Sequence, residues 1–189
     1  MSSRAPGGLS LRPALVDDLA AVTSLAHACI ADLRARAIDQ WDDIYPTRNR
    51  FSADVAAGSL YVASLPAQEV VAAFALDGQQ DVEYATVPWT LLDGPVGVVH
   101  RFMVDPRYQG QGLARELMLF AEGLACELGF AILRLDAFSL NPAALRLYRG
   151  LGYHEPGDVL LRKGVFRAFE KRMGTWARAK QQTRPDMDG

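Results

Sequence analysis

Apolar residues near the N-terminus recur at the spacing of an amphipathic helix. A short strand is predicted over residues 9–12, and Asp17 and Asp18 then favour a helix start because carboxylates there oppose the helix dipole. The apolar stripe consists of Leu15, Leu19, Val22, Ala26, Cys29, Ile30 and Leu33. Because side chains three and four residues apart share one helix face, the stripe predicts a helix that packs inward and buries Cys29.

Farther along the chain the apolar period shortens to two, which is typical of strands. Strands are predicted over residues 60–64, 70–76, 96–104, 131–137, 153–155 and 165–170. Helices are predicted over residues 51–57, after Gly112 and after Asn141. Residues 77–95 lack periodicity and contain several glycines and prolines, which predicts a long loop. The segments together predict one domain that mixes helices and strands.

The central predicted strand, residues 96–104, leads into a turn that carries Gly110 and Gly112 and then into an amphipathic helix. A helix start leaves backbone N–H groups unpaired and carries about half a positive charge. Glycines at that point let a ligand approach the backbone closely. The junction therefore predicts a phosphate-binding site.

Two familiar glycine loops fit this turn less well. A P-loop has Lys-Ser or Lys-Thr after its last glycine, whereas Leu113 and Ala114 follow Gly112. The dinucleotide fingerprint needs a third glycine where Arg115 stands, although Asp136 ends the next strand at the spacing expected for a ribose contact. A dinucleotide-binding protein is kept as the minor alternative.

The pattern that does match is the run from Gln109 to Ala114, Gln-Gly-Gln-Gly-Leu-Ala, which resembles the pyrophosphate-binding turn of the GNAT superfamily of N-acetyltransferases. A second motif, LRLDAFSLNPAALRLYRGLGY at residues 133–153, resembles that superfamily's strand, asparagine-started helix and Leu-Gly-Tyr ending. The similarity extends from LRPALVDDL near the N-terminus to FEK at residues 169–171. The segment QWDDIYP, residues 40–46, further resembles a bacterial GNAT subgroup with a QWxxxYP-like segment.

The resemblance implies a fold and a cosubstrate. The implied fold is α+β (mixed α/β), a GNAT-like acyl-CoA N-acyltransferase with a central twisted mixed sheet that is splayed after its fourth strand, residues 96–104, and flanked by helices. Acetyl-CoA is the expected cosubstrate, and no metal is expected. The residues expected to bind it are Phe102, Met103, Val104, Gln109, Gly110, Gln111, Gly112, Leu113, Ala114, Arg115, Asn141 and Tyr148.

Asn141 and Tyr148 also have a purely structural explanation. Asn141 before Pro142 suits a helix N-cap, and Tyr148 lies about two turns later on nearly the same helix face. In the GNAT superfamily the matching pair contacts the pantetheine arm and the thioester sulfur. The resemblance therefore favours Tyr148 as the group that protonates the departing thiolate.

Acetyl transfer to an amine also needs a polarised carbonyl and a base. The resemblance implies that backbone N–H groups near residues 102–104 polarise the carbonyl. Asp136 stands where some family members have an acidic base, and His100 and Glu83 are the other local candidates. Alternatively, Asp136 pairs with Arg134 or Arg101.

The resemblance places residues 40–46 over the acceptor end of the site. Acidic groups attract a cation, and aromatic rings hold one with roughly 0.5–2 kcal/mol. The residues predicted to bind the acceptor are Trp41, Asp42, Asp43 and Tyr45 from this segment and Tyr84 and Trp89 from the long loop. The alternative for the segment is a helix cap with packed aromatic side chains.

Composition narrows the class of protein further. The 189 residues are 50% hydrophobic and carry a net charge of -2, which is typical of a globular domain and gives no general attraction to nucleic acid. Cys29 and Cys126 fit neither a zinc motif nor a disulfide framework, which favours the reducing cytoplasm. The sequence shows no apolar run of membrane-spanning length and no secretory signal, so no membrane partner is expected.

These patterns predict a flexible N-terminus at residues 1–8, a single N-acetyltransferase domain at residues 9–173 and a C-terminal tail at residues 174–189. The predicted reaction transfers acetyl from acetyl-CoA to a primary amine of a small molecule or peptide by direct attack. A CoA-binding regulatory module without catalysis is the alternative from another class. The sequence specifies neither the acceptor nor the oligomeric state, and a homodimer is left open.

Overall fold

The computed structural model describes residues 3–4, 8–66 and 70–174, and nearly all of the predicted terminal segments lies outside them. Within these residues the chain forms four α-helices and eight strands. The helices are α1 (Leu19–Ala35), α2 (Arg48–Ala56), α3 (Leu113–Glu127) and α4 (Pro142–Gly150). The strands are β1 (Ser3–Arg4), β2 (Ser10–Pro13), β3 (Leu60–Ser64), β4 (Val70–Asp77), β5 (Val96–Val104), β6 (Ile132–Phe138), β7 (His154–Leu161) and β8 (Gly164–Arg172).

The strands form one mixed sheet in the order β1-β2-β3-β4-β5-β6-β8-β7. Neighbouring strands are antiparallel except for β5 and β6, the one parallel pair among the described strands. This topology confirms the predicted mixed fold. It does not fit the dinucleotide alternative, because a dinucleotide-binding domain is built on a mostly parallel sheet.

The predicted splay is confirmed, and it begins inside a strand. The parallel ladder between β5 and β6 joins Val96–Val98 to Ile132–Arg134. Both strands continue, β5 to Val104 and β6 to Phe138, so their carboxyl ends diverge. The opening therefore starts at Val98 instead of after Val104. The splayed strand is the fifth in the structure, because residues 3–4 add a short strand.

Strand β5 contains a β-bulge where it passes the opening. Its pairing with β4 shifts between Ala73 and Ala75, and Arg101 takes a left-handed backbone angle, φ 50°. Such a conformation costs about 1–3 kcal/mol and persists only where the surroundings impose it. Here the Arg101 guanidinium is buried, with Nε 2.8 Å from an Asp54 carboxylate oxygen and Nη1 donating to the Tyr45 hydroxyl at 3.1 Å. The bulge thus directs Arg101 toward α2.

Helices cover both faces of the sheet. Buried side chains of α1, Cys29 among them as predicted, pack on one face together with Phe51 of α2. The α3 side chains Leu117 and Met118 pack on the other face with Phe74, beside α4. Of the helices in the described part of the chain, none combines the length and apolar character needed to cross a bilayer.

Candidate active site

A cleft passes through the sheet where β5 and β6 diverge. Two cavities, of about 420 Å³ and 400 Å³, meet there. We call the larger one, bounded by α1, α3 and α4, the α3-side cavity, and the other, bounded by residues 162–163 between β7 and β8, the hairpin-side cavity. The walls that they share include Gln40, Trp41, Phe102, Asp136 and Tyr148. Molecules bound in the two cavities would therefore lie next to each other, beside these shared side chains.

The glycine turn forms the outer wall of the α3-side cavity. Gly110 and Gly112 have positive φ angles, 75° and 85°, which side-chain-bearing residues adopt only at a cost. A Cβ placed on either glycine would meet no atom within 4 Å, so the space above the turn is open. Gly112 is the N-cap of α3, whose first N–H groups have no partner inside the helix. The turn is therefore open to an anionic group and carries the donors to hold one.

The structure places the predicted cosubstrate residues together. All of them except Gln111 line the α3-side cavity. The Gln111 side chain turns away and donates to the Arg107 carbonyl oxygen at 3.2 Å. Arg115 donates to the Gly150 carbonyl oxygen at 3.2 Å, which ties the start of α3 to the end of α4. Asn141 caps α4 by accepting from Ala144 N at 3.2 Å and donates from Nδ2 to Gln40 Oε1 at 2.9 Å, so the asparagine both starts its helix and borders the cavity.

Sequence analysis missed several other residues of this cavity, among them Cys29 of α1, Arg36 directly after α1 and Arg146 of α4. The Cys29 thiol lies 3.4 Å from the Val104 carbonyl oxygen, and burial raises its pKa to about 12, so it remains a neutral thiol. Helical periodicity predicted that Cys29 is buried, but periodicity does not show which buried residue borders a cavity.

Tyr148 lies between the two cavities. It is 5% exposed, and its ring packs against Phe169 at 5.3 Å between centroids and against Tyr153 at 6.0 Å. Its hydroxyl has no hydrogen-bond partner among the described residues, although the side chain lines both cavities. Burial, together with the negative charge of Asp136, raises the pKa of Tyr148 well above its usual value. The hydroxyl therefore stays protonated and is available as a donor in the cleft.

Asp136 lies in the shared wall and is held by Tyr84. The Tyr84 hydroxyl donates to Asp136 Oδ2 at 2.7 Å. Burial raises the pKa of Asp136 above its usual range, while the Tyr84 hydrogen bond and the nearby His100 act in the opposite direction. A carboxylate with a raised pKa is a stronger base than an exposed one.

The proposed pairing of Asp136 with an arginine is wrong. Arg134 stacks over the Trp89 ring at 4.0 Å, donates to the Leu91 carbonyl oxygen at 2.8 Å and lies 3.9 Å from Glu170. Arg101 is engaged by Asp54, as described above. Both arginines have acidic partners of their own, so in the described part of the chain neither of them pairs with the Asp136 carboxylate.

The structure places Tyr84 and Trp89 outside both cavities, contrary to the prediction that they contact the acceptor. Tyr84 is 1% exposed, packs on Trp89 at 5.3 Å between ring centroids and lines neither cavity. Trp89 Nε1 donates to the Tyr84 carbonyl oxygen at 2.9 Å, and the same loop is anchored by Glu170, which accepts from Thr90 N at 2.8 Å. The long loop thus packs its aromatic residues against the core, and through the Tyr84 hydroxyl it holds the Asp136 carboxylate in place.

The other two candidate bases lie in the hairpin-side cavity. His100 Nε2 is 3.0 Å from the Gln79 carbonyl oxygen and 3.6 Å from an Asp77 carboxylate oxygen, so this nitrogen carries the proton. Glu83 is exposed at the mouth of the cavity. Asp136 differs from both because it lies in the wall shared with the α3-side cavity.

Only part of residues 40–46 faces the cleft as predicted. Trp41 lines both cavities and Tyr45 lines the hairpin-side cavity, whereas Asp42 and Asp43 line neither. The backbone turns back on itself through paired hydrogen bonds between residues 42 and 45, and Asp42 accepts from Arg162 at 2.9 Å. The prediction that Asp42 and Asp43 bind the acceptor is therefore corrected: Asp42 joins the segment to the β7–β8 turn, and Asp43 is exposed near Arg34.

Comparison with known proteins identifies the family. Residues 26–153 match the acetyltransferase (GNAT) family, and the chain belongs to it. A structure of a GNAT-family acetyltransferase from Streptococcus agalactiae 2603 is similar with a TM-score of 0.79 and 23% identity, covering 91% of this chain and 99% of that one. The Salmonella typhimurium protein yncA, whose structure contains its cofactor acetyl-CoA, is similar with a TM-score of 0.65 and 18% identity over 95% of this chain and 99% of that one.

One curated relative is similar over a shorter stretch. It is the N-alpha-acetyltransferase RimI of Mycobacterium tuberculosis (strain ATCC 25618 / H37Rv), 40% identical over an alignment of 73 positions that covers 36% of this chain. The match spans 40% of the length of that relative.

Proposed function

We propose that the protein is an N-acetyltransferase that transfers acetyl from acetyl-CoA to a primary amine of a small molecule or peptide by direct attack. The observation that carries the proposal is the cleft through the sheet. Its two cavities approach from different sides and meet at Tyr148 and Asp136. Direct transfer needs this arrangement, because donor and acceptor must enter separately and touch at one point.

The α3-side cavity fits acetyl-CoA. The open glycine turn and the unpaired N–H groups at the start of α3 would hold the pyrophosphate. The pantetheine arm would follow the diverging end of β5, where Phe102, Met103 and Val104 line the cavity beyond the last pairing with β6. The acetyl-CoA bound by yncA, a protein of the same fold, supports this choice of cosubstrate.

The hairpin-side cavity would hold the amine. Its nitrogen forms a bond to the acetyl carbon while the carbon–sulfur bond breaks, and the electron pair of that bond leaves with the sulfur. Nitrogen becomes acidic as it is acylated and releases a proton, which the adjacent Asp136 carboxylate accepts. The similarity to RimI, which is named as an N-alpha-acetyltransferase, supports an amine as the acceptor.

Tyr148 would act on the departing sulfur by donating a hydrogen bond. Burial raises the pKa of Tyr148, whereas a thiol such as that of cysteine ionises at a pKa of about 8.5. Complete proton transfer from the tyrosine to the thiolate would therefore be uphill. A hydrogen bond to a developing negative charge needs no transfer and stabilises the transition state directly.

Two measurements on the full chain test the proposal. Calorimetric titration should show binding of acetyl-CoA, and a thiol-release assay over polyamines, amino acids, aminoglycosides and peptide N-termini should show turnover with at least one amine. A protein that binds acetyl-CoA and releases no thiol with any amine would instead be the CoA-binding regulatory module.

A further inference from the structure

The hairpin-side cavity contains more negative charge than the transfer reaction uses. Three carboxylates line it: Asp81, Glu83 and Asp136. Asp136 is assigned the proton of the attacking nitrogen. Asp81 and Glu83 lie at the start of the one-turn helix Val82–Thr86, and within the described residues neither carboxylate has a hydrogen bond or an ion pair. Two negative charges therefore remain without a partner.

The cations of the same cavity are already neutralised. Arg162 lies 2.9 Å from an Asp42 carboxylate oxygen, and Lys163 lies 2.8 Å from an Asp39 carboxylate oxygen. Arg101 lies 2.8 Å from Asp54. These three acidic partners do not line the cavity. These ion pairs thus cancel positive charge in the wall and leave Asp81 and Glu83 uncompensated.

Other side chains indicate that the cavity is built for a ligand. The Tyr148 hydroxyl reaches it from a side chain that is 5% exposed, and the hydroxyl has no partner among the described residues. Buried polar groups are rarely left unpaired unless a ligand or water satisfies them. The rings of Trp41 and Tyr45 line the same cavity and would favour a cation over a neutral or anionic group.

We infer that the acceptor carries a second cationic group besides the amine that is acetylated, and that Asp81 and Glu83 bind this group. The inference rests on the proposed N-acetyltransferase function. A monoamine would leave both carboxylates unpaired beside the bound acceptor, whereas a second cation would neutralise them. A small diamine and a peptide N-terminus followed by a basic residue both offer this chemistry.

A matched set of acceptors tests the inference with saturating acetyl-CoA. Cadaverine, pentylamine and δ-aminovalerate share a reacting amine and have similar chains, but their far ends are cationic, neutral and anionic. We expect kcat/KM for cadaverine to exceed that for pentylamine by about tenfold, the size of two solvent-exposed ion pairs, and δ-aminovalerate to be the slowest. The dipeptide amides Ala-Lys and Ala-Leu form the second arm. A preference for cadaverine without a preference for Ala-Lys would indicate a diamine as the natural acceptor, and the reverse result would indicate a peptide.

Variants assign the preference to the two acids. In the double variant Asp81→Asn, Glu83→Gln the ratio of cadaverine to pentylamine kcat/KM should fall to about one. The control Glu127→Gln removes an exposed carboxylate that lines neither cavity and should keep the ratio of the unmodified protein. The ratio is diagnostic, because a role of Glu83 as general base would slow both amines equally.

Two results would overturn the inference while leaving the proposed function intact: a ratio near one in the unmodified protein for both arms, or a ratio that survives in the double variant. Binding of acetyl-CoA without thiol release from any amine would overturn the proposed function, and the inference would fall with it.

Discussion

Burial has opposite consequences for the two polar residues at the centre of the cleft. It raises the pKa of Tyr148, which keeps the hydroxyl protonated and able to donate. It also raises the pKa of Asp136, which makes the carboxylate a better proton acceptor. One physical effect thus prepares a donor and an acceptor on either side of the point where the two cavities meet.

Replacing Tyr148 with phenylalanine tests the donor. Because the hydroxyl has no partner among the described residues, Tyr148→Phe should leave the free energy of unfolding nearly unchanged. The loss of a hydrogen bond to developing charge should lower kcat by about 10²-fold, with acetyl-CoA affinity retained. The control Tyr61→Phe removes a hydroxyl that lines neither cavity and should keep full kcat. Full kcat in Tyr148→Phe would reduce Tyr148 to a wall of the cleft.

Replacing Tyr84 with phenylalanine tests the base through its pH dependence. The Tyr84 hydrogen bond favours the charged form of Asp136 and so lowers its pKa. Tyr84→Phe should therefore raise that pKa, and the acid limb of kcat should move to higher pH. The measurement needs a weakly basic amine as acceptor, so that titration of the amine does not mask the limb. An acid limb that stays in place would show that Asp136 is not the base and would favour His100 or Glu83.

At the scale of elements, two valine variants distinguish the role of the glycine turn in ligand binding from the conformational strain of a positive φ angle. Gly112 at the start of α3 and Gly129 after its end both have φ 85°, and a Cβ at either would meet nothing within 4 Å. Valine at either position should therefore destabilise the fold by a similar amount, about 1–2 kcal/mol. Gly112→Val should also weaken acetyl-CoA binding, because its side chain would occupy the approach of the pyrophosphate, whereas Gly129→Val should bind normally. Equal affinities in calorimetric titration would exclude the turn from the site.

The elements that the sequence predicted best are those with strong local signals. The bounds of β3 and β5 agree with the predicted strands, since apolar residues predominate in both and turn-forming residues, such as Gly94-Pro95 and Asp105-Pro106 around β5, mark their ends. Helix α2 starts earlier than predicted, because Thr47 caps it by accepting from Arg50 N at 3.2 Å. Strand β7 is longer than predicted, because it is a largely exposed edge strand and alternation of buried residues does not mark it.

The sequence also predicts the α3-side cavity better than the hairpin-side cavity, for the same reason. The glycine turn and the helix that begins at Asn141 are local motifs, so the sequence predicted most of the α3-side cavity. The hairpin-side cavity is assembled by distant contacts such as that between Asp42 and Arg162, 120 positions apart. Hydrophobic periodicity does not report which charges meet across such a distance. For that reason the sequence predicts acceptor contacts at the acidic residues next to Trp41 and none at Asp81.

At the scale of the whole molecule, the cleft lies where the sheet is held together least. Strands β1–β5 and strands β6–β8 are joined within the sheet by the short ladder at Val96–Val98. Helix α3 spans the join and is tied to β8 by Lys171 and Glu122, whose side chains are 2.7 Å apart. A ligand between the diverging strands would contact both parts of the sheet and so stabilise the complete fold.

Acetyl-CoA should therefore raise the stability of the domain as one unit. At a concentration about 100 times its Kd, a ligand that binds the folded state alone adds about 2.7 kcal/mol, which in a domain of this size raises Tm by about 5–10 °C. Thermal unfolding followed by circular dichroism should show one transition that shifts upward with acetyl-CoA and not with NAD. Gly112→Val should lose most of the shift at the same ligand concentration, while Gly129→Val should keep it. A larger shift with NAD would contradict the assignment of the α3-side cavity to acetyl-CoA, and two separate transitions would show that the ligand stabilises one part of the sheet alone.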